Sequence, residues 1–123
     1  MNCLYIHPNK KQLKDNEKLK LYKNIINVIH SYEIKHIFWS NDPYNFNSYT
    51  SIIQSLMKDF ENGGLLFTCI IDDNNNFNNV LHSFVKFHDL QLSIFLKNKN
   101  TPVKNIIIKQ HGYNGKNIID FES

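Results

Sequence analysis

Arginine and alanine are both absent from this chain, and cysteine occurs only twice, as Cys3 and Cys69. The missing arginine is the most informative gap. The formal charge of +3 is carried by lysine alone among the strong bases, and a lysine ammonium cannot grip phosphate through the two-pronged guanidinium geometry. Sequence-specific nucleic-acid readout is therefore disfavoured. The densest basic stretch, Lys10, Lys11, Lys14, Lys18, Lys20 and Lys23, is interrupted by Asp15 and Glu17, the pattern of a solvated helix face.

Missing alanine, set beside abundant Lys, Asn, Ile, Phe and Tyr, points to an AT-rich gene. Excess asparagine then says little about function, and Asp72-Asp73-Asn74-Asn75-Asn76 reads as a turn and helix cap. The two thiols lie in apolar runs without a redox motif, which fits buried, reduced cysteines and a cytoplasmic location rather than a disulfide framework. No window approaches the roughly twenty apolar residues of a membrane span, and the run before Pro8 is too short for a signal-peptide core. No membrane association is expected.

Apolar residues make up 41% and aromatics 13% of 123 residues, ample for one core and too few residues for two domains. A single α/β domain over 1–123 is expected. Residues 3–7 read as a strand stopped by Pro8, followed by a helix over 11–31 with Leu19, Tyr22, Ile25, Ile26 and Ile29 on one side. Residues 34–39 read as a second strand ending at Ser40-Asn41-Asp42-Pro43. Over 48–62, Tyr49, Ile52, Ile53, Leu56, Met57 and Phe60 mark one helical stripe, with Asn47 or Ser48 capping its start and Gly63 its end.

The near-continuous apolar run 65–71 predicts a central strand covered on both faces. A third helix follows over 77–88, with Phe77, Val80, Leu81, Phe84 and Val85 on one stripe, and residues 90–96 read as a fourth strand. Two β-rich runs, 103–109 and 117–121, flank His111-Gly112-Tyr113-Asn114-Gly115-Lys116 and predict a hairpin turning at Asn114-Gly115. The order is that of a three-layer, mostly parallel sheet, β-α-β-α-β-α-β, with a C-terminal antiparallel hairpin at its edge.

Ligands of open α/β sheets collect at the carboxyl ends of the strands. Those positions hold His7 and Asn9, then Ser40, Asn41 and Asp42, then Asp72, Asp73 and Asn74, then Lys97 and Asn98. If Asp42, Asp72 and Asp73 converge, they form a rim suited to a divalent metal and phosphoryl or nucleolytic chemistry. Aspartate and asparagine are equally the ordinary residues for leaving a strand. His82 and His88 lie six apart, on different faces of a helix, so they make no zinc pair. His111 has no recognisable nucleophile beside it, and the glycine spacing around Tyr113 does not match a phosphate-binding loop.

The remaining signal is aromatic. Trp39, Tyr44 and Phe46 surround the loop before the second helix and Tyr113 sits at the expected hairpin tip, so these four are candidate anchors for a protein partner, with Asp42, Asp72 and Asp73 as a charged rim. The competing reading makes Trp39 a lid on the core and folds Tyr44 and Phe46 back over the helix as a hydrophobic staple. The expectation is a small protein-binding protein without a cofactor, of the inhibitor, immunity or counter-defence kind, whose partner would be a toxin or nuclease. The alternatives are a metal-dependent nuclease or phosphotransferase using the strand-end carboxylates, and a lysine-driven nucleic-acid binder.

Overall fold

The computed structural model describes residues 1–7, 13–40, 46–72, 75–87, 90–98 and 100–122, with side chains described at all of these except 46–49, 72, 75–78, 80 and 122. Five strands, β1 (Asn2–His7), β2 (Ile34–Ser40), β3 (Leu66–Asp72), β4 (Ser93–Lys97) and β5 (Ile118–Glu122), form one sheet in the order β4-β3-β2-β1-β5. Every pairing is parallel. Four helices, α1 (Asp15–Ser31), α2 (Phe46–Asp59), α3 (Asn75–Phe87) and α4 (Val103–His111), connect successive strands. Among the described residues no helix is long and apolar enough to cross a membrane.

The direction of each crossover decides which face its helix covers. From β1 to β4 the chain steps one strand at a time the same way, and right-handed crossovers place α1, α2 and α3 on one face. From β4 it returns to the far side of β1, which sends α4 to the other face. Strand residues divide accordingly: Leu4, Ile6, Ile37, Trp39, Phe67, Cys69 and Ile71 join the core of the first three helices. Cys3, Tyr5, Phe38, Ile70 and Ile118 join the core beneath α4. Among the described residues sixteen buried side chains fill the first core and seven the second, so the α4 layer is the thinner.

Helix α1 buries Leu21, Ile25 and Ile29, spaced four apart as one stripe requires. Leu19, expected on that stripe, is 54% exposed. Asp15 and Glu17 favour its N-terminal end electrostatically, and the Glu17 carboxylate accepts from the Lys14 backbone amide at 3.1 Å. Ile52, Ile53 and Leu56 of α2 and Leu81 of α3 are buried. The start of α2 at Phe46 puts its expected caps, Asn47 and Ser48, inside the helix. Gly64 rather than Gly63 takes the positive φ after it. Strand β3 is interior as expected, although the middle position belongs to β2.

The C-terminal hairpin is corrected. Residues 103–111 form α4, and β5 lies parallel to β1 with Cys3 opposite Ile118 and Tyr5 opposite Asp120. The β-branched run Ile106-Ile107-Ile108 suggested a strand. Val103, Ile106 and Ile107 also fit helical spacing, and it is Ile106 and Ile107 that are buried, with Val103 packed against them. Tertiary burial overrode a weak β preference. Pro102 stands at the N-cap and Gly112 ends the helix at φ 77, the proline-then-glycine punctuation of a helix. Asn114 caps a short 3-10 turn (Gly115–Asn117), its side chain accepting from the amides of Lys116 and Asn117.

The two glycines separate the alternatives experimentally. Nothing lies within 4 Å of a Cβ built on either, and only Gly112 has a positive φ. Gly112→Ala is expected to cost about 1 kcal/mol through left-handed backbone strain, and Gly115→Ala to be nearly neutral, read from urea unfolding midpoints. A hairpin turning at Asn114-Gly115 would reverse that order.

Candidate functional site

The sheet face beneath α4 carries two groupings of polar side chains. Alternation along parallel strands puts Tyr5 and His7 of β1, His36, Phe38 and Ser40 of β2, and Thr68 and Ile70 of β3 on that one face. They sort into a cluster towards the carboxyl ends of the strands and a chain nearer the amino ends.

At the carboxyl ends, the Tyr5 hydroxyl and Ser40 Oγ are hydrogen-bonded at 3.0 Å, and the Tyr5 and His7 rings meet edge to face at 4.1 Å. His7 Nε2 lies 3.2 Å from Asp120 Oδ1, and Lys104 of α4 reaches Oδ2 of the same carboxylate. Partial burial pushes the Asp120 carboxyl up, but the hydrogen bonds and charges of Lys104 and His7 outweigh it and hold it below the usual carboxylate range. Asp120 is thus an acceptor at neutral pH, so the Nε2 proton belongs to His7. A small cluster of imidazole, two hydroxyls and a lysine results. Among the described residues, no group of three or more His, Cys, Asp or Glu could hold a metal ion.

Nearer the amino ends runs a chain of hydrogen bonds, buried between His36 and Thr68 and part-buried beyond them. Ser93 Oγ donates to the Phe67 carbonyl at 3.3 Å, so at 2.6 Å from Thr68 Oγ1 it accepts. Thr68 Oγ1 then accepts from His36 Nε2 at 2.8 Å. On its other side, His36 Nδ1 lies 3.3 Å from the Tyr113 hydroxyl, which also reaches Met1 Sδ at 3.5 Å. His36 is 8% exposed and stacks on Phe38 at 4.0 Å. Burial first, and the proximity of His111 second, lower its pKa to about 4. His111 is lowered by burial too, and its Nε2 is buried with no partner among the described residues.

The expected anchor residues are placed differently from one another. Trp39 is 1% exposed inside the core of α1, α2 and α3, the lid arrangement rather than an outward anchor, and its Nε1 has no partner among the described residues. Tyr113 precedes β5 at the amino end of the sheet and packs on His36 and Phe38, so it is not a hairpin tip and lies at the opposite end from Asp72. Asp72 ends β3 in register with Lys97 of β4, and Phe46 begins α2; neither side chain is described. Asp42, Tyr44 and Asp73 fall outside the described residues.

Sequence reading placed His7 and Ser40 at the carboxyl ends of their strands but did not single out Tyr5 and Asp120 beside them, and it missed His36 and Thr68 altogether. Their signal was a polar residue interrupting an apolar run at alternate positions: His36 in Ile34-Lys35-His36-Ile37-Phe38, and Thr68 in Leu66-Phe67-Thr68-Cys69-Ile70. What could not be read was that both belong to one face. A hollow of about 460 Å³ on the outer surface of α1 and α2, lined by Lys18, Tyr22, Ser55 and Asp59 among others, lies on the helical side away from this face.

The chain is tested by Thr68→Val, which keeps volume but leaves His36 Nε2 without its acceptor. A buried unmatched donor costs about 1–3 kcal/mol, so denaturant unfolding should show a loss of that size. The surface change Ser55→Ala should move the midpoint far less.

No protein-family model, no curated protein and no solved structure matches this chain.

Proposed function

We propose that this chain is a small protein-binding module, acting in the cytoplasm, that recruits its partner along the free edge of β4. The observation that carries the reading is the edge itself. Strand β4 has β3 on one side and no described strand on the other, and Ile94 and Phe95 are half-buried while Leu96 is 45% exposed. An open edge with apolar side chains invites another chain to add a strand, main-chain hydrogen bonds giving affinity and alternate side chains giving selectivity. Beside the strand runs a cavity of about 310 Å³ whose lining includes Phe95, Lys97, Asn105, Ile106, Lys109 and Gln110. It supplies a floor for the side chains of an added segment.

A module of this kind acts by occupying another protein's surface, as an inhibitor or immunity protein does. A photo-crosslinker at position 96 identifies the partner, and calorimetry with the purified partner then compares substitutions. Leu96→Lys is expected to weaken binding at least about tenfold, the scale of a modest interface anchor, with the melting temperature nearly unchanged. Leu19→Lys on α1, equally exposed, should leave affinity intact. Equal losses at the two positions, or none at Leu96, would refute the edge reading.

A further inference from the structure

The His36 chain sits where the α4 layer is fastened to the sheet, and nothing in the edge reading uses it. His36 lies between elements: Cys3 of β1 is its register partner on one side and Leu66 of β3 on the other. Thr68 takes one ring nitrogen and Tyr113, two residues beyond α4, takes the other. The His111 ring, last residue of α4, stands edge-on to both His36 and Phe38 at 5.8 and 5.0 Å. The titratable groups facing the imidazole are therefore the Cys3 thiol, the Tyr113 phenol and His111. The thiol is pushed up to about 12, by burial first and the Asp120 charge second, and the phenol is also raised. None of these groups is a carboxylate that could compensate a charge on His36.

We infer that His36, His111 and Tyr113 form a proton-sensitive latch, so that acid lifts the C-terminal end of α4 from its sheet face while the opposite core stays closed. In the closed state the ring is buried and neutral, with Thr68 at one nitrogen, Nε2, and Tyr113 at the other, Nδ1. A proton there turns Nδ1 from acceptor to donor and leaves the Tyr113 hydroxyl hydrogen with Met1 Sδ, 3.5 Å away, a weak acceptor. It also places charge against Phe38 and His111, in a site with no counter-ion among the groups named. The two faces respond unequally because the α4 layer rests on the smaller of the two cores.

The sign follows from the direction of the shift. A histidine whose folded value is lowered takes up its proton on opening, so the closed state is fully favoured above the ordinary value of 6.5 and loses ground as pH falls towards about 4. One proton taken up on opening raises the open population about tenfold for each pH unit through that window.

The chain carries its own reporters. Cys3 is buried beneath α4 and Cys69 beneath α1, α2 and α3, both at 0% exposure. Dithiodipyridine, which reacts with thiols at acid pH, is applied to the intact protein between pH 7 and 4. Each labelled cysteine is identified by peptide mass, and rates are normalised to the denatured chain. Cys3 labelling should accelerate about tenfold per pH unit below 6.5, with Cys69 protected. His36→Gln retains a donor and an acceptor but does not titrate, and its Cys3 should show no such acceleration. If that variant fails to fold, the wild-type comparison of the two thiols decides alone. Cys3 and Cys69 opening together, Cys3 staying protected down to pH 4, or an unchanged slope in His36→Gln would each overturn the latch.

Discussion

The return of the chain from β4 to the far side of β1 leaves α4 to cover a whole sheet face alone, and much else follows from that path. Three helices share the opposite face, where the long apolar side chains of β1, β2 and β3 meet Ile25, Ile53, Leu56 and Leu81. A nine-residue helix with only Ile106 and Ile107 buried cannot seal a five-stranded sheet by apolar area. The strands meet it with polar side chains that hydrogen-bond laterally, and these satisfy one another where α4 does not reach. The polar face is the structural consequence of a thin layer as much as a place where chemistry can occur.

Satisfaction of those groups runs in series. From the Phe67 carbonyl through Ser93, Thr68 and His36 to Tyr113, each hydroxyl or imidazole lies within hydrogen-bond distance of the next. A polar chain of this type, buried at its centre, costs little while complete and much when one member is lost. It ties β2, β3, β4 and the segment after α4 together, in addition to the apolar packing of Phe38, Ile70, Phe95 and Tyr113. At the other end of the face, Lys104 and His7 share the Asp120 carboxylate, joining α4, β1 and β5.

The elements that could be read from the sequence were those whose period was unambiguous. The stripe Ile52, Ile53, Leu56 and the run 65–71 admit one interpretation each, and both are realised within a few residues. The stretch 103–109 admitted two, because three consecutive isoleucines satisfy a strand while Val103, Ile106 and Ile107 satisfy a helix. Only the burial supplied by Phe38, Ile70 and Ile118, distant in sequence, decides between them. The polar cluster was illegible for a related reason. Tyr5 and Asp120 inside their strands and Ser40 at the end of β2 are ordinary strand residues until register brings β1, β2 and β5 side by side. Trp39 looked like an anchor because a proline-containing loop follows it, and alternation turned it inward instead.

The central claim is that the molecule is two unequal layers on one sheet, with α4 the separable one. Native-state amide exchange across a urea series measures this directly, since it resolves local opening from global unfolding. The account predicts that the amides of Ile106, Ile107 and Ile108 exchange through an opening of lower free energy and shallower urea dependence than those of Ile53, Leu56 and Cys69. If all six follow a single isotherm, α4 is an inseparable part of one cooperative unit and the account is contradicted.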